Sequence, residues 1–140
     1  MSEGPAAVVE GFWRAWSRRD KVGTMAFLAT DIRYAMYIPQ ETVPFGGETQ
    51  GRAAMSDRLQ TILDAFDTLR FEGSITSVHG KTVRGQAAFA FRHKITGEVL
   101  EGVMRHVAVV EDGLIYDMAE YHDVERVKAF MRLVAHTAAR

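Results

Sequence analysis

The chain has no cysteine among its 140 residues. Disulfides, thiolate metal sites and a cysteine nucleophile are therefore excluded. Charge of one sign is also missing. There are 17 basic and 18 acidic residues, with a net charge of −1. The arginines are scattered, so the electrostatic footprint of a nucleic-acid binder is absent. No apolar run reaches the roughly 20 residues of a membrane span. The stretch Met1 to Glu10 shows no basic segment followed by an apolar one, so no secretory signal is read there. Repeats, low-complexity tracts and long linkers are lacking too. The expectation is a soluble, cytoplasmic, single-domain protein over residues 1–140, with no nucleic-acid or membrane partner.

What is present is a succession of clear periods. Val8, Val9, Phe12, Trp13 and Trp16 fall on one stripe of a helix from about Glu3 to Arg19. A short helix, about Val22 to Leu28, follows. Asp31 to Pro39 reads as a strand, with Ile32, Tyr34, Tyr37 and Ile38 in it. Gln40 to Gly51 reads as a loop, a candidate lid that presents Phe45. A third helix from Arg52 to Phe66 buries Met55, Leu59, Ile62, Leu63 and Phe66.

After Asp67 the period becomes two. Leu69, Phe71 and Ile75 alternate with polar residues. Ala87, Phe89, Phe91, His93 and Ile95 then share one face of a second strand. Thr96-Gly97 and Asp112-Gly113 read as hairpin turns on either side of a long strand, Val99 to Glu111. That strand is apolar on both faces. Leu114 to His122 is the last strand, and Val124, Val127, Phe130, Met131 and Val134 mark a closing helix. Tight turns imply an antiparallel meander. The fold class is α+β: a curved, mostly antiparallel sheet, wrapped by N-terminal helices into a half-closed cone.

Glu111-Asp112-Gly113-Leu114-Ile115, followed by Met118-Ala119-Glu120-Tyr121-His122-Asp123, resembles the ending common in SnoaL-like proteins. These belong to the nuclear transport factor 2-like superfamily, with ketosteroid isomerase and limonene epoxide hydrolase. The resemblance implies a cone-shaped barrel around a pocket for a small organic ligand, and no cofactor. Three polar positions of ketosteroid isomerase correspond to Phe12, Met36 and Arg105, so its three groups are missing. The acid on the last strand of the epoxide hydrolase corresponds to Glu120, while its arginine and aspartate partners fall roughly at Ala90 and Arg92. The same resemblance turns Phe89, Phe91 and His93 inward, with Val103, Arg105 and Val107, and with Tyr116, Met118, Glu120 and His122.

Four ionisable groups thus meet an apolar surface: His93, Arg105, Glu120 and His122. Arg105 and Glu120 lie on strands joined by the Asp112-Gly113 turn, and they could form a charge-assisted pair. That pair reads equally as structural or as functional. His122, beside Asp123, reads also as part of a helix cap. His79, His106 and His136 read as ordinary, and no histidine spacing matches a metal motif. Phe12, Trp16, Tyr34, Met36, Ile38, Phe66, Phe89, Phe91, Val103, Val107, Met118 and His122 are candidate ligand contacts. Two functions stay open. One is a cofactor-free isomerase, cyclase or hydrolase using Glu120 with Arg105 and His93 on a carbonyl, enol or epoxide compound. The other is a binding or dimerisation module without turnover. A homodimer through the outer sheet face is expected, with Met104, His106, Ala108 and Val110 on that face.

Overall fold

In a computed structural model, residues 4–139 are described. Helix α1, Pro5–Ser17, starts on a proline in its first turn, where the missing N–H is no loss. Its apolar stripe, Val8, Val9, Phe12, Trp13 and Trp16, is buried. Asp20 caps helix α2, Lys21–Met25, by accepting from the Gly23 amide at 2.9 Å. Strand β1, Leu28–Tyr37, follows. The expected loop 40–51 then contains a short strand, β2, Gly47–Gln50, antiparallel to β1. Four residues with no apolar alternation carry no strand signal of their own. Pairing with β1 makes the strand, and the Arg33–Glu48 ion pair at 2.8 Å crosses it.

Helix α3, Arg52–Ala65, precedes the meander of β3 (Phe66–His79), β4 (Thr82–His93), β5 (Val99–Glu111) and β6 (Leu114–Tyr121). Phe66 is extended rather than helical and opens β3. The six strands form one sheet in the order β2-β1-β6-β5-β4-β3, and only β1 and β6 run parallel. The sheet is curved and open. Helices α1 and α3 pack against it, and their apolar stripes share one core with its inner residues. Helix α4, Val124–Ala138, capped by Asp123, buries Val127, Phe130 and Val134 at the far end. Among the described residues no helix is long and apolar enough to cross a membrane.

Two hairpins decide which side chains face inward. β4 and β5 pair without a break from Thr82↔Val109 to Arg92↔Val99. β5 and β6 begin as a two-residue hairpin, Glu111↔Leu114 and Val110↔Ile115. The register then shifts, and the next pair is Val109↔Asp117. Tyr116 is the extra residue of a β-bulge. Continued without the bulge, the hairpin would place Arg105 opposite Glu120. With it, His106 faces Glu120 and Arg105 faces Tyr121.

The expected faces of β5 are therefore reversed. Met104, His106, Ala108 and Val110 are buried, and Arg105 is exposed. Val103 is 53% exposed and Val107 half-buried on the outer face. Neither is a ligand contact. The outer face carries Val99, Val103, Arg105 and Val107, not the set expected from the sequence.

Candidate functional site

The concave face encloses a cavity of about 70 Å³ between α1, α3 and the sheet. Its wall is almost wholly apolar. Phe12, Trp16, Met36, Ile38, Phe66, Phe89 and Phe91 line it. So does Phe45 from the preceding turn, which packs edge-on against Phe66. Met118 is fully buried but lies outside the lining.

Apart from Arg58 on α3, the polar part of the wall is gathered at one place. Glu120, on β6, is 5% exposed. The Tyr34 hydroxyl donates to its Oε1, and His106 Nε2 lies 3.0 Å from the same atom. His122 Nε2 lies 2.6 Å from Oε2. Strand geometry explains the convergence. Glu120 is the cross-strand partner of His106 on β5 and of Met36 on β1. Tyr34 lies two residues before Met36, and His122 two after Glu120, on the same face.

Trp13 sets the tautomer of His106. Its indole N–H can only donate, and it lies 2.9 Å from His106 Nδ1. Nδ1 is therefore the acceptor, and Nε2 carries the proton that goes to Glu120. Two glycines admit the indole. A Cβ on Gly73 would lie 2.2 Å from the Trp13 ring, and one on Gly85 would lie 2.5 Å from it. His106 is thereby held as a neutral donor to Glu120.

Burial opposes the charge on Glu120. The hydrogen bonds from His106 and His122 outweigh it and hold the carboxyl well below its ordinary range. Burial, with the charge of Glu120 and the hydrogen bond to it, pushes the Tyr34 hydroxyl well up, so it stays protonated. His122 uses only Nε2. Among the described residues its Nδ1 has no protein partner, and no buried polar side-chain atom is left unpaired. Nδ1 therefore keeps open surface. His122 borders both the cavity and an outer groove beside Asp123 and Arg126.

Of the three residues assigned catalysis from the sequence, Glu120 alone reaches this site. Arg105 points away, on the face of β5 opposite to Met104 and His106. His93 has the expected parity, but β4 ends there and Ile95 lies in the turn, 86% exposed. The His93 ring bonds Thr96 and packs edge-on against Phe66, outside the cavity lining. His106, Trp13 and Arg58 were missed. Arg58 lines the cavity from α3, donating to the backbone carbonyls of Tyr34 and Gly47. Each carried a signal: His106 interrupts the apolar row of Met104 and Ala108, and Arg58 sits between Met55 and Ile62 at helical spacing. Among the described residues no group of three His, Cys, Asp or Glu is placed to hold a metal.

Residues 9–118 match the SnoaL-like domain. The chain belongs to the SnoaL-like family. Solved structures agree on the fold of this SnoaL-like chain. A candidate isomerase from Rhodopseudomonas palustris superposes with a TM-score of 0.79 at 18% identity, covering 96% of this chain and 99% of that one. A nuclear transport factor 2-like protein from Burkholderia xenovorans gives 0.77 at 22%, covering 91% and 95%. A candidate polyketide cyclase from Xanthomonas campestris gives 0.74 at 20%, covering 91% and 96%. No curated protein matches the sequence.

Proposed function

We propose that this SnoaL-like protein is a cofactor-independent acid–base enzyme of isomerase, cyclase or hydrolase type. Its substrate is a small, partly apolar carbonyl, enol or epoxide compound. One observation carries the reading: an ionised Glu120 bound by three side-chain donors on a cavity wall that, Arg58 apart, is otherwise apolar. Such charge in a dry wall has a large effect on a reacting group beside it. Proton transfer runs through Glu120 and His122. The carboxylate orients the imidazole, and the open Nδ1 exchanges the proton. Tyr34 and His106 hold the carboxylate in place. The candidate isomerase and cyclase of the same fold are consistent with proton-transfer chemistry in this cone.

The test is turnover on panels of small carbonyl, enol and epoxide compounds. Glu120→Gln keeps the shape and removes the charge, and it should lower the rate by about 10²–10⁴-fold. Full activity in that variant would remove the reading. The second reading, ligand binding without turnover, also has an observation in its favour. A carboxylate held well below its ordinary range is a poor proton acceptor. Ligand binding with no turnover on any panel would select it.

We also propose a homodimer through the outer sheet face. Val99 and Val103 are 45% and 53% exposed there, and Tyr37 stacks on Tyr121 with ring centres 4.7 Å apart. Apolar surface of that kind favours burial against a partner. Sedimentation at micromolar concentration should show a dimer, and a lone monomer would refute it.

A further inference from the structure

Arg58 is the charged group of the cavity that the acid–base network does not use. It is 6% exposed, on a helix face otherwise built of Met55, Leu59 and Ile62. Its Nη1 donates to the Tyr34 carbonyl at 3.2 Å, and Nη2 donates to the Gly47 carbonyl. Its guanidinium carbon stands 5.5 Å from the centre of the Tyr34 ring. These partners are all neutral. No ion pair among the described residues includes Arg58.

A guanidinium has five N–H donors and stays charged. Among the described residues the Nε of Arg58 has no protein partner, yet no buried side-chain nitrogen is left unsatisfied. Nε therefore keeps open surface, on a residue that lines the cavity. A buried cation without an anion is unfavourable. Glu120 is not its direct partner: its contacts are with Tyr34, His106 and His122, and no Arg58–Glu120 ion pair occurs among the described residues. When His122 carries a proton, two cations and one carboxylate line the cavity. Its 70 Å³ is under half the roughly 150 Å³ of an apolar cavity that holds benzene, which limits the ligand to a molecule of about one ring at most.

We propose that the cavity binds a small organic oxyanion, a carboxylate or enolate of about one ring, with its charged oxygen on Arg58 and its apolar body against Phe12, Met55 and Phe89. This deepens the acid–base reading, on which it rests for the position of the reacting atoms near Glu120. Binding itself requires no turnover.

Benzoate and benzamide are matched probes of equal shape and different charge. Calorimetric titration at neutral pH should show benzoate binding the wild-type protein at least about tenfold more tightly than benzamide. In Arg58→Met that preference should vanish while benzamide binding is kept, which also reports that the cavity is intact. Should Arg58→Met fail to fold, Glu120→Gln gives the second measurement. Removing the opposing carboxylate should tighten benzoate and leave benzamide unchanged. Equal binding of the two probes by the wild type, binding of neither, or a benzoate preference that survives Arg58→Met would each overturn the proposal. Those failures leave the acid–base reading standing, because that reading is decided by turnover in Glu120→Gln.

Discussion

The hairpins on the two sides of β5 are built from similar residues but differ by one residue of register. β4–β5 is unbroken, so Phe89 and Phe91 face inward as their alternation predicts. β5–β6 carries the bulge at Tyr116, and every pair beyond it is displaced by one. The lesson is specific to strands apolar on both faces. On β5, Val103 and Val107 are as apolar as Met104 and Ala108, so composition cannot tell inner from outer. The unbroken pairing with β4 makes the choice, turning Met104 and His106 inward with Ala87 and Gly85 and sending Arg105 to solvent. The single inserted residue on β6 then brings Glu120 opposite the neutral imidazole of His106.

Deleting Tyr116 should break that difference most severely. The hairpin would then run in one register, with either Met118 and Glu120 or Ile115 forced off the inner face. Circular dichroism should show loss of the cooperative fold under conditions where the wild type is folded. A well-folded deletion variant would show that the bulge is dispensable.

Removing the acceptor at the centre of the network comes next. Glu120→Ala leaves three donors facing an apolar cavity and should destabilise by about 3–5 kcal/mol, read from urea denaturation. The wild type should also respond to acid. The folded-state carboxyl titrates well below its ordinary value of 4.5, so the unfolded chain takes up this proton first as pH falls. The stabilisation from Glu120 is then complete above about pH 4.5 and declines as pH falls towards the folded-state value. Glu120→Gln should lose that component of the acid limb. An identical acid limb in both proteins would contradict the ionised assignment.

A smaller effect is expected at the support of His106. Trp13→Phe keeps most of the packing but removes the N–H that fixes the tautomer, and should lower stability by about 1–3 kcal/mol. The His106 ring-nitrogen chemical shifts should also change, which a pure packing loss would not produce. The smallest effect sharpens the contrast with the neighbouring position. Arg105→Ala, on the outer face, should alter stability by no more than about 0.5 kcal/mol. A loss of several kcal/mol in urea denaturation there would put Arg105 back inside.

The periods of the sequence determined much of this protein. The apolar stripes of α1, α3 and α4, the two hairpin turns beside β5 and the order of helices and strands follow from local spacing, because side-chain period and turn chemistry are properties of a few neighbouring residues. The acid Glu120 was legible as an ionisable group on an apolar strand, and the aromatic wall from Phe12 to Phe91 was legible as an apolar face. What joins Glu120 to Tyr34 and His106 was decided by tertiary structure alone, whereas His122 follows it by local alternation. Tyr34 and His106 reach it across strands from positions 86 and 14 residues away, and a bulge set which of two adjacent residues would do so. Strand β2 exists only by pairing with β1, and the tautomer of His106 depends on an indole 93 residues distant. Such contacts depend on register and on close packing, and neither is written in the period of any one segment.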